Sequence, residues 1–296
     1  MDIVDVILPI YKEKISIIEK SVNSIINQTY KDLHLIVIID NPENLEAINF
    51  IRKLKNVDLI INEKNMGLVK SLNVGLQHCI GKYVARMDAD DVSELDRIEK
   101  QVNYLNEKNL DIVGSNVRWF DDNKVYFETN LPIDCTKVKK ALHKVNCVYH
   151  PTFLFKRSIL DKISQYETVL YCEDYCFLLN SLFYDFRIGN HPEVLLNYRW
   201  SKDGISNSNS AKQRINSIIL KKMYKNKIYI TGASFKDFSK KYNYNIRKYE
   251  KYFKYKNEIK NRGVLGKMVN SIKSFFICPM LFFDDIYIRC FIRKKK

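Results

Sequence analysis

The chain has 296 residues, 46% hydrophobic and 28% charged. That is ordinary globular composition, long enough for one large core or two small ones. Seven cysteines form no paired metal-type spacing, which points to reduced cytosolic thiols rather than a disulfide framework. The opening Met1-Asp2-Ile3-Val4-Asp5 has no basic n-region, so no secretory signal is expected. The net charge of +15 is uneven: residues 211–296 carry 23 Lys/Arg against 5 Asp/Glu, a net of +18, and residues 1–210 are net −3. Such asymmetry points to a tail that meets an anionic surface, nucleic acid or phospholipid.

Taken in order, Ile3 to Leu8 reads as a strand stopped by Pro9. Ile18, Val22, Ile25 and Ile26 recur at helical spacing and mark an amphipathic helix. Leu35 to Ile39 is a continuous apolar run, the pattern of a parallel strand covered on both faces. Leu45, Ile48, Ile51 and Leu54 mark a second helix, Val57 to Ile61 a third strand, and Leu68/Val69, Leu72 and Leu76 a third helix. Tyr83 to Met87 is a fourth strand. This alternation predicts a three-layer α/β domain with a mainly parallel central sheet.

The fourth strand ends in Asp88-Ala89-Asp90-Asp91. Three crowded carboxylates repel one another unless a counter-charge holds them, and hard oxygen ligands suit Mg²⁺ or Mn²⁺. Two readings stand at this point: a divalent metal site, or an acidic turn with Asp91 or Ser93 capping the next helix. In a parallel sheet the ligand sits beyond the carboxyl ends of the strands. Pro9 to Glu13, Asp40-Asn41 and Asp88-Ala89-Asp90 all fall there, the pattern of a metal-bridged nucleotide site. Neither G-x-G-x-x-G nor G-x-x-x-x-G-K-[ST] occurs, against a dinucleotide or P-loop enzyme.

These residues also carry a family resemblance. Val4 to Tyr11, Ser24 to Tyr30 and Ile38-Ile39-Asp40 resemble the opening of a family 2 glycosyltransferase with the GT-A fold. Asn65 to Gly75 resembles its N-x-G-x(5)-N-x-G segment, and Gly81-Lys82-Tyr83 leading to Asp88-Ala89-Asp90-Asp91 resembles its DXD block. His150-Pro151-Thr152-Phe153 and Glu173-Asp174-Tyr175 resemble its acceptor-side and ED segments. Each piece is weak alone; the ordered set, over about 200 residues, is specific.

The resemblance implies that Asp40 hydrogen-bonds the nucleobase, usually uracil, with Pro9, Tyr11, Glu13 and Asn65 on the nucleotide side. Asp88 would touch the ribose or donor sugar, Asp90 would ligate the metal, and Asp174 would be the general base. His150 and Glu173 would lie toward the acceptor or diphosphate. Arg199 and Lys202 are read either as diphosphate contacts or as surface-loop cations. Arg86 is assigned to the nucleotide or to balancing the acidic cluster, and Lys70 to a phosphate or to the solvent face of its helix. Two departures stand out: Asp40-Asn41-Pro42-Glu43 replaces the usual D-D-G-S, and no His follows Tyr198-Arg199. One base and no covalent nucleophile predict an inverting, metal-dependent transfer. The donor is expected to be a UDP-sugar and the acceptor a surface-polysaccharide or lipid-linked glycan. A nucleic-acid-binding protein and a nucleotidyltransferase are the alternatives.

The division is expected at 1–210, catalytic, and 211–296, a basic, mostly helical extension. In its last part, near 264–292, Leu265, Met268/Val269, Ile272 and Phe275/Phe276 share one helical face flanked by cations. The longest uncharged run there, Ser274 to Phe283, is half the ~20 residues needed to span a bilayer. This predicts an interfacial segment on an anionic membrane surface, hence a cytoplasmic protein held peripherally at the inner face of the cell membrane. Tyr and Lys interleave between residues 242 and 256, but no nucleic-acid motif accompanies them, and no nucleic acid is expected as partner.

Overall fold

The computed structural model describes residues 2–201, 209–241 and 250–252. Lys202, the Tyr/Lys tract and the segment near 264–292 therefore lie outside the described residues, apart from Glu250, Lys251 and Tyr252.

The first half is built as the apolar runs dictate. Strands β1 (Val4–Ile10), β2 (Leu33–Ile39), β3 (Val57–Ile61) and β4 (Tyr83–Arg86) form a parallel block in the order β3-β2-β1-β4. Helices α1 (Ile15–Ile26), α2 (Leu45–Ile51) and α3 (Leu68–Gln77) make the crossovers. The second half adds β5 (Val92–Ser93), α4 (Arg97–Glu107), β6 (Ile112–Phe120), β7 (Val125–Glu128), α5 (Cys135–Leu142), β8 (Leu154–Lys156), α6 (Glu173–Phe183) and β9 (Ile188–Arg199). β8 pairs antiparallel with β4 and β6, β9 pairs parallel with β6, and β5 pairs antiparallel with β9. Most of the paired length is parallel, and the far half is mixed.

Two cores lie on opposite faces of the sheet. One joins Val6 and Leu8 of β1 to α1, α2 and α4; the other joins Ile7 of the same strand to α3, α5 and α6. Alternate residues of β1 feed alternate cores, which is why the strand reads as unbroken apolar sequence. Helix α7 (Ser210–Lys225) continues the second core through Ile215, Ile218, Ile219 and Met223. It is followed by α8 (Gly232–Lys240), capped by Thr231. The start of the basic segment thus packs on α6.

Several local expectations change. β1 runs through Pro9 to Ile10. Carbonyls of alternate residues point to alternate neighbours: Ile10 O accepts from Asp40 N on the β2 side, Ile7 O from Met87 N on the β4 side. Pro9 shares Ile7's side, where pairing with β4 has ended at Arg86, so its missing N–H breaks no ladder bond. Ile26 is exposed, although its spacing placed it on the buried face of α1. The second helix stops at Ile51, before Leu54. Neither Asp91 nor Ser93 caps a helix: Val92–Ser93 is a strand, and α4 starts at Arg97 after Asp96. His150–Thr152 is a 3-10 turn, in which Pro151 fits the first turn of a helix, where no N–H is needed.

Candidate active site

The carboxyl ends of β1, β2 and β4 lie along one edge of the sheet, and Glu13, Asp40 and Asp88 to Asp91 follow those ends. At β2 the chain ends on Asp40, which is buried. Its Oδ1 accepts from Asn62 Nδ2 at 2.7 Å and Met66 N at 2.8 Å, and its Oδ2 accepts from Gly67 N at 2.8 Å. Asp40 therefore ties the loop before α3 to the sheet. Gly67 has φ +84°, a conformation that glycine alone adopts freely, and Asn65 Oδ1 also accepts from its N–H at 3.0 Å. Asn65 and Lys70 are exposed at this end of α3. Past β1, Glu13 accepts from Tyr11 N at 2.7 Å, and burial pushes its carboxyl above the usual range.

At β4, Arg86 is buried and pairs with Asp88. Asp88, Asp90 and Asp91 each offer an oxygen within 4.8 Å of the others. Burial, then the charges of Asp88 and Glu13, pushes Asp90 up to about 7. Asp91 is fully buried: Oδ1 accepts from Arg199 N at 2.7 Å, and Oδ2 has no hydrogen-bond partner. Burial and then its two acidic neighbours push it well up. Hard oxygen donors crowded against one another, with one buried oxygen unsatisfied, fit a divalent cation of the Mg²⁺ or Mn²⁺ kind. Asp91, for which the sequence offered a helix cap as the alternative, stands in the same cluster as Asp88 and Asp90.

Arg199 is not a surface-loop cation. It is buried at the end of β9, beside the aspartate turn because β9 pairs with β5. Its Nε donates to Asp90 O at 3.0 Å, one Nη donates to Asp122 at 2.7 Å, and its guanidinium lies 4.7 Å from the centre of the Phe120 ring. Backbone and side chain of one arginine thus clamp the turn that presents Asp90.

Glu173 and Asp174 open α6, where the helix dipole favours negative charge. Asp174 accepts from Tyr175 N at 2.7 Å and from Asn146 Nδ2 at 2.8 Å. Burial pushes it up to about 6, with Arg86 pulling down and Asp88 pushing up; burial and the Asp174 charge push Glu173 to about 7. Arg86 thus acts on the β4 aspartates and on the α6 pair alike. His150 is buried against Tyr166, Nε2 to hydroxyl 3.1 Å, and burial followed by the Arg86 charge holds it well below the usual histidine range, so it is neutral. Arg97, also buried, donates to Pro151 O at 2.6 Å, and burial lowers it to about 10. Sequence reading missed Arg97 and Asn146: they depend on contacts across 54 and 28 residues.

A carboxylate cluster for a cation at a parallel sheet edge, with a separate buried carboxylate at a helix start, is an arrangement for transfer from a charged donor. The family model for glycosyl transferase family 2 matches residues 5–164. The chain belongs to that family. This glycosyltransferase is 33% identical over 233 residues to an uncharacterized glycosyltransferase of Methanocaldococcus jannaschii, covering 76% of this chain and 80% of the relative. It is 31% identical over 204 residues to an O-antigen biosynthesis glycosyltransferase of Escherichia coli, covering 67% and 80%. A UDP-Gal:alpha-D-GlcNAc-diphosphoundecaprenol beta-1,3-galactosyltransferase of the same species is 27% identical over 72% of this chain and 80% of its own. The GT-A fold of the transferase matches a Pyrobaculum calidifontis mannosyltransferase solved with GDP-Man and Mn²⁺, TM-score 0.61 over 97% of this chain and 75% of that one, at 16% identity. It also matches S. aureus TarS solved with UDP-GlcNAc, TM-score 0.61 over 80% and 70%, at 17% identity.

Proposed function

We propose that this glycosyltransferase is metal-dependent and inverting, and moves a sugar from a UDP-sugar to a surface-polysaccharide or lipid-linked glycan. The observation that carries the reading is the cluster of Asp88, Asp90 and Asp91, whose oxygens lie within 4.8 Å of one another at the sheet edge, together with the separate acidic pair Glu173-Asp174 that opens α6. Donor diphosphate and acceptor hydroxyl would meet between these carboxylate groups. Asp174 takes the proton of the acceptor hydroxyl. The hydroxyl oxygen forms its bond to the anomeric carbon while the bond to the diphosphate oxygen breaks, and the electron pair leaves with UDP. A single base without a covalent nucleophile inverts the anomeric centre, and the base contributes ~10²–10⁴ in rate. Asp90 would hold Mn²⁺ or Mg²⁺, with Asp88 beside it facing ribose or sugar and Asp91 beneath. A cation there offsets the charge that develops on the diphosphate. Asp40, Pro9, Tyr11 and Glu13 would form the nucleotide wall.

The UDP-Gal and diphosphoundecaprenol in the name of one relative support the donor and acceptor classes. The basic excess of residues 211–296 supports a peripheral place on an anionic membrane, and no helix among the described residues is long and apolar enough to cross one. Calorimetric titration of UDP with and without Mn²⁺ tests the site: binding requires the metal, and Asp90→Ala abolishes the metal-dependent part. Metal-dependent UDP binding that survives in Asp90→Ala removes the assignment. Flotation of the full chain with anionic and neutral vesicles tests the membrane arm.

A further inference from the structure

The loop between α5 and the 3-10 turn at His150 delivers one side chain to the start of α6. Asn146 is fixed at both ends: its Oδ1 accepts from Val148 N at 3.1 Å, and its Nδ2 donates to Asp174 Oδ2 at 2.8 Å. A backbone N–H can face only the oxygen of an amide, so the NH₂ group must face Asp174. The other carboxylate oxygen, Oδ1, accepts from Tyr175 N at 2.7 Å. Two donors on two oxygens leave the carboxylate no freedom to rotate. The Tyr175 contact comes from the helix itself; the Asn146 contact comes from a separate loop and sets which oxygen is directed where.

We propose that Asn146 is a positioning residue, which aims the Asp174 carboxylate at the acceptor hydroxyl from outside the helix that carries it. This rests on the reading of Asp174 as general base. The charged and titratable groups facing Asp174 are Arg86 from β4, Asp88 beyond it, Glu173, Cys172 and Cys176 at the helix start, and Tyr166 from the preceding loop. Arg86 is the cation among them, and it also serves Asp88. Asn146 supplies a neutral donor to the ionised carboxylate, which favours the deprotonated, proton-accepting form.

Two variants separate aim from scaffold. Asn146→Asp is isosteric and keeps an acceptor for Val148 N–H while deleting the donor to Asp174; Asn146→Ala deletes both. Carboxyl ¹³C NMR of aspartate-labelled full chain, with the signal assigned by its loss in Asp174→Asn, reads the Asp174 titration directly. The midpoint rises by about one pH unit in Asn146→Asp and by less in Asn146→Ala. UDP release from UDP-galactose, UDP-glucose or UDP-N-acetylglucosamine falls about tenfold or more at pH 7, with UDP binding in Mn²⁺ unchanged. An unmoved Asp174 midpoint in both variants overturns the proposal. Transfer at the wild-type rate in Asp174→Asn overturns the base assignment instead, whatever Asn146 does.

Discussion

Arg86 and Asp88 are two residues apart in sequence and paired in space, the arginine buried at the end of β4 and the aspartate on the turn that follows. The pair joins the last core position of the strand to the first carboxylate of the cluster. Removing one partner of a buried pair costs ~3–5 kcal/mol; Asp88 is 29% exposed on its side chain, which moves the expectation to the low end. Arg86→Met is expected to lower the melting temperature and to cut transfer at least a hundredfold, because Asp88, Asp90 and Asp174 lose their common counter-charge. Arg86→Lys keeps the charge but not the fork and recovers part of both. Melting curves and initial rates on the two variants check this.

Asp90 places function against stability. Its carboxyl is pushed up to about 7 by burial and by Asp88 and Glu13, so ionising it works against the fold. A raised carboxyl favours the folded state when protonated, and that contribution fades as pH rises through the folded pKa. At pH 8 in chelator, Asp90→Asn should melt a few degrees higher than the wild type. Saturating Mn²⁺ should stabilise the wild type and leave the variant unmoved. Differential scanning fluorimetry with and without Mn²⁺ gives both readings.

For Asp174, the proposed base, ionisation is expected to switch activity on. Its carboxyl is pushed up to about 6, so the acidic limb of the turnover profile should have a midpoint near that value and rise toward neutrality. Asp174→Asn should lose transfer while still binding UDP with Mn²⁺. A pH series of UDP release, paired with UDP titration of the variant, checks the limb and the split.

Arg199 holds the aspartate turn through Asp90 O and Asp122. Its backbone N–H still holds Asp91 when the side chain is cut. Arg199→Ala should therefore weaken Mn²⁺ affinity ~10–100-fold, the scale for residues that orient ligands, without removing the site. Manganese titration by electron paramagnetic resonance measures it.

At the opposite end of the sheet, His34 bridges Asp5 at 2.7 Å and Asp58 at 2.9 Å. Burial opposes its charge, but the two carboxylates outweigh burial and raise its pKa above 6.5. A raised histidine stabilises fully below its unfolded pKa, and the contribution is lost as pH rises through the folded one. His34→Gln should cost more at pH 5.5 than at pH 8.5, a difference visible in paired melting curves.

The parallel block was legible because strands covered on both faces must be apolar throughout, so β1 to β4 stand out as runs. The strand-end positions Asp40, Glu13 and Asp88 to Asp91 followed, since one edge of a parallel sheet collects whatever comes after each strand. Beyond β4 the pattern weakens. β6 and β9 carry polar residues such as Asn116, Arg118 and Asn197 whose partners lie across the sheet, so they show no clean period. Pro9 was misread as a stop because its effect depends on which neighbour its nitrogen faces.

The sequence by itself determined the doubly covered sheet, the presence of three aspartates after β4 and a carboxylate pair at the head of α6, and the uneven charge of the chain. Those follow from local period, composition and residue order. Only the tertiary structure decided that Arg86 serves both carboxylate groups, that Arg199 clamps the aspartate turn, and that Asn146 holds Asp174. The Arg199 and Asn146 contacts are hydrogen bonds and the Arg86–Asp88 contact is an ion pair, while the influence of Arg86 on α6 is the longer-range pull of a buried charge; all depend on burial and on distance in space. Burial makes an unpaired charge costly, and the chain meets that cost with partners drawn from different elements, which order along the chain does not encode.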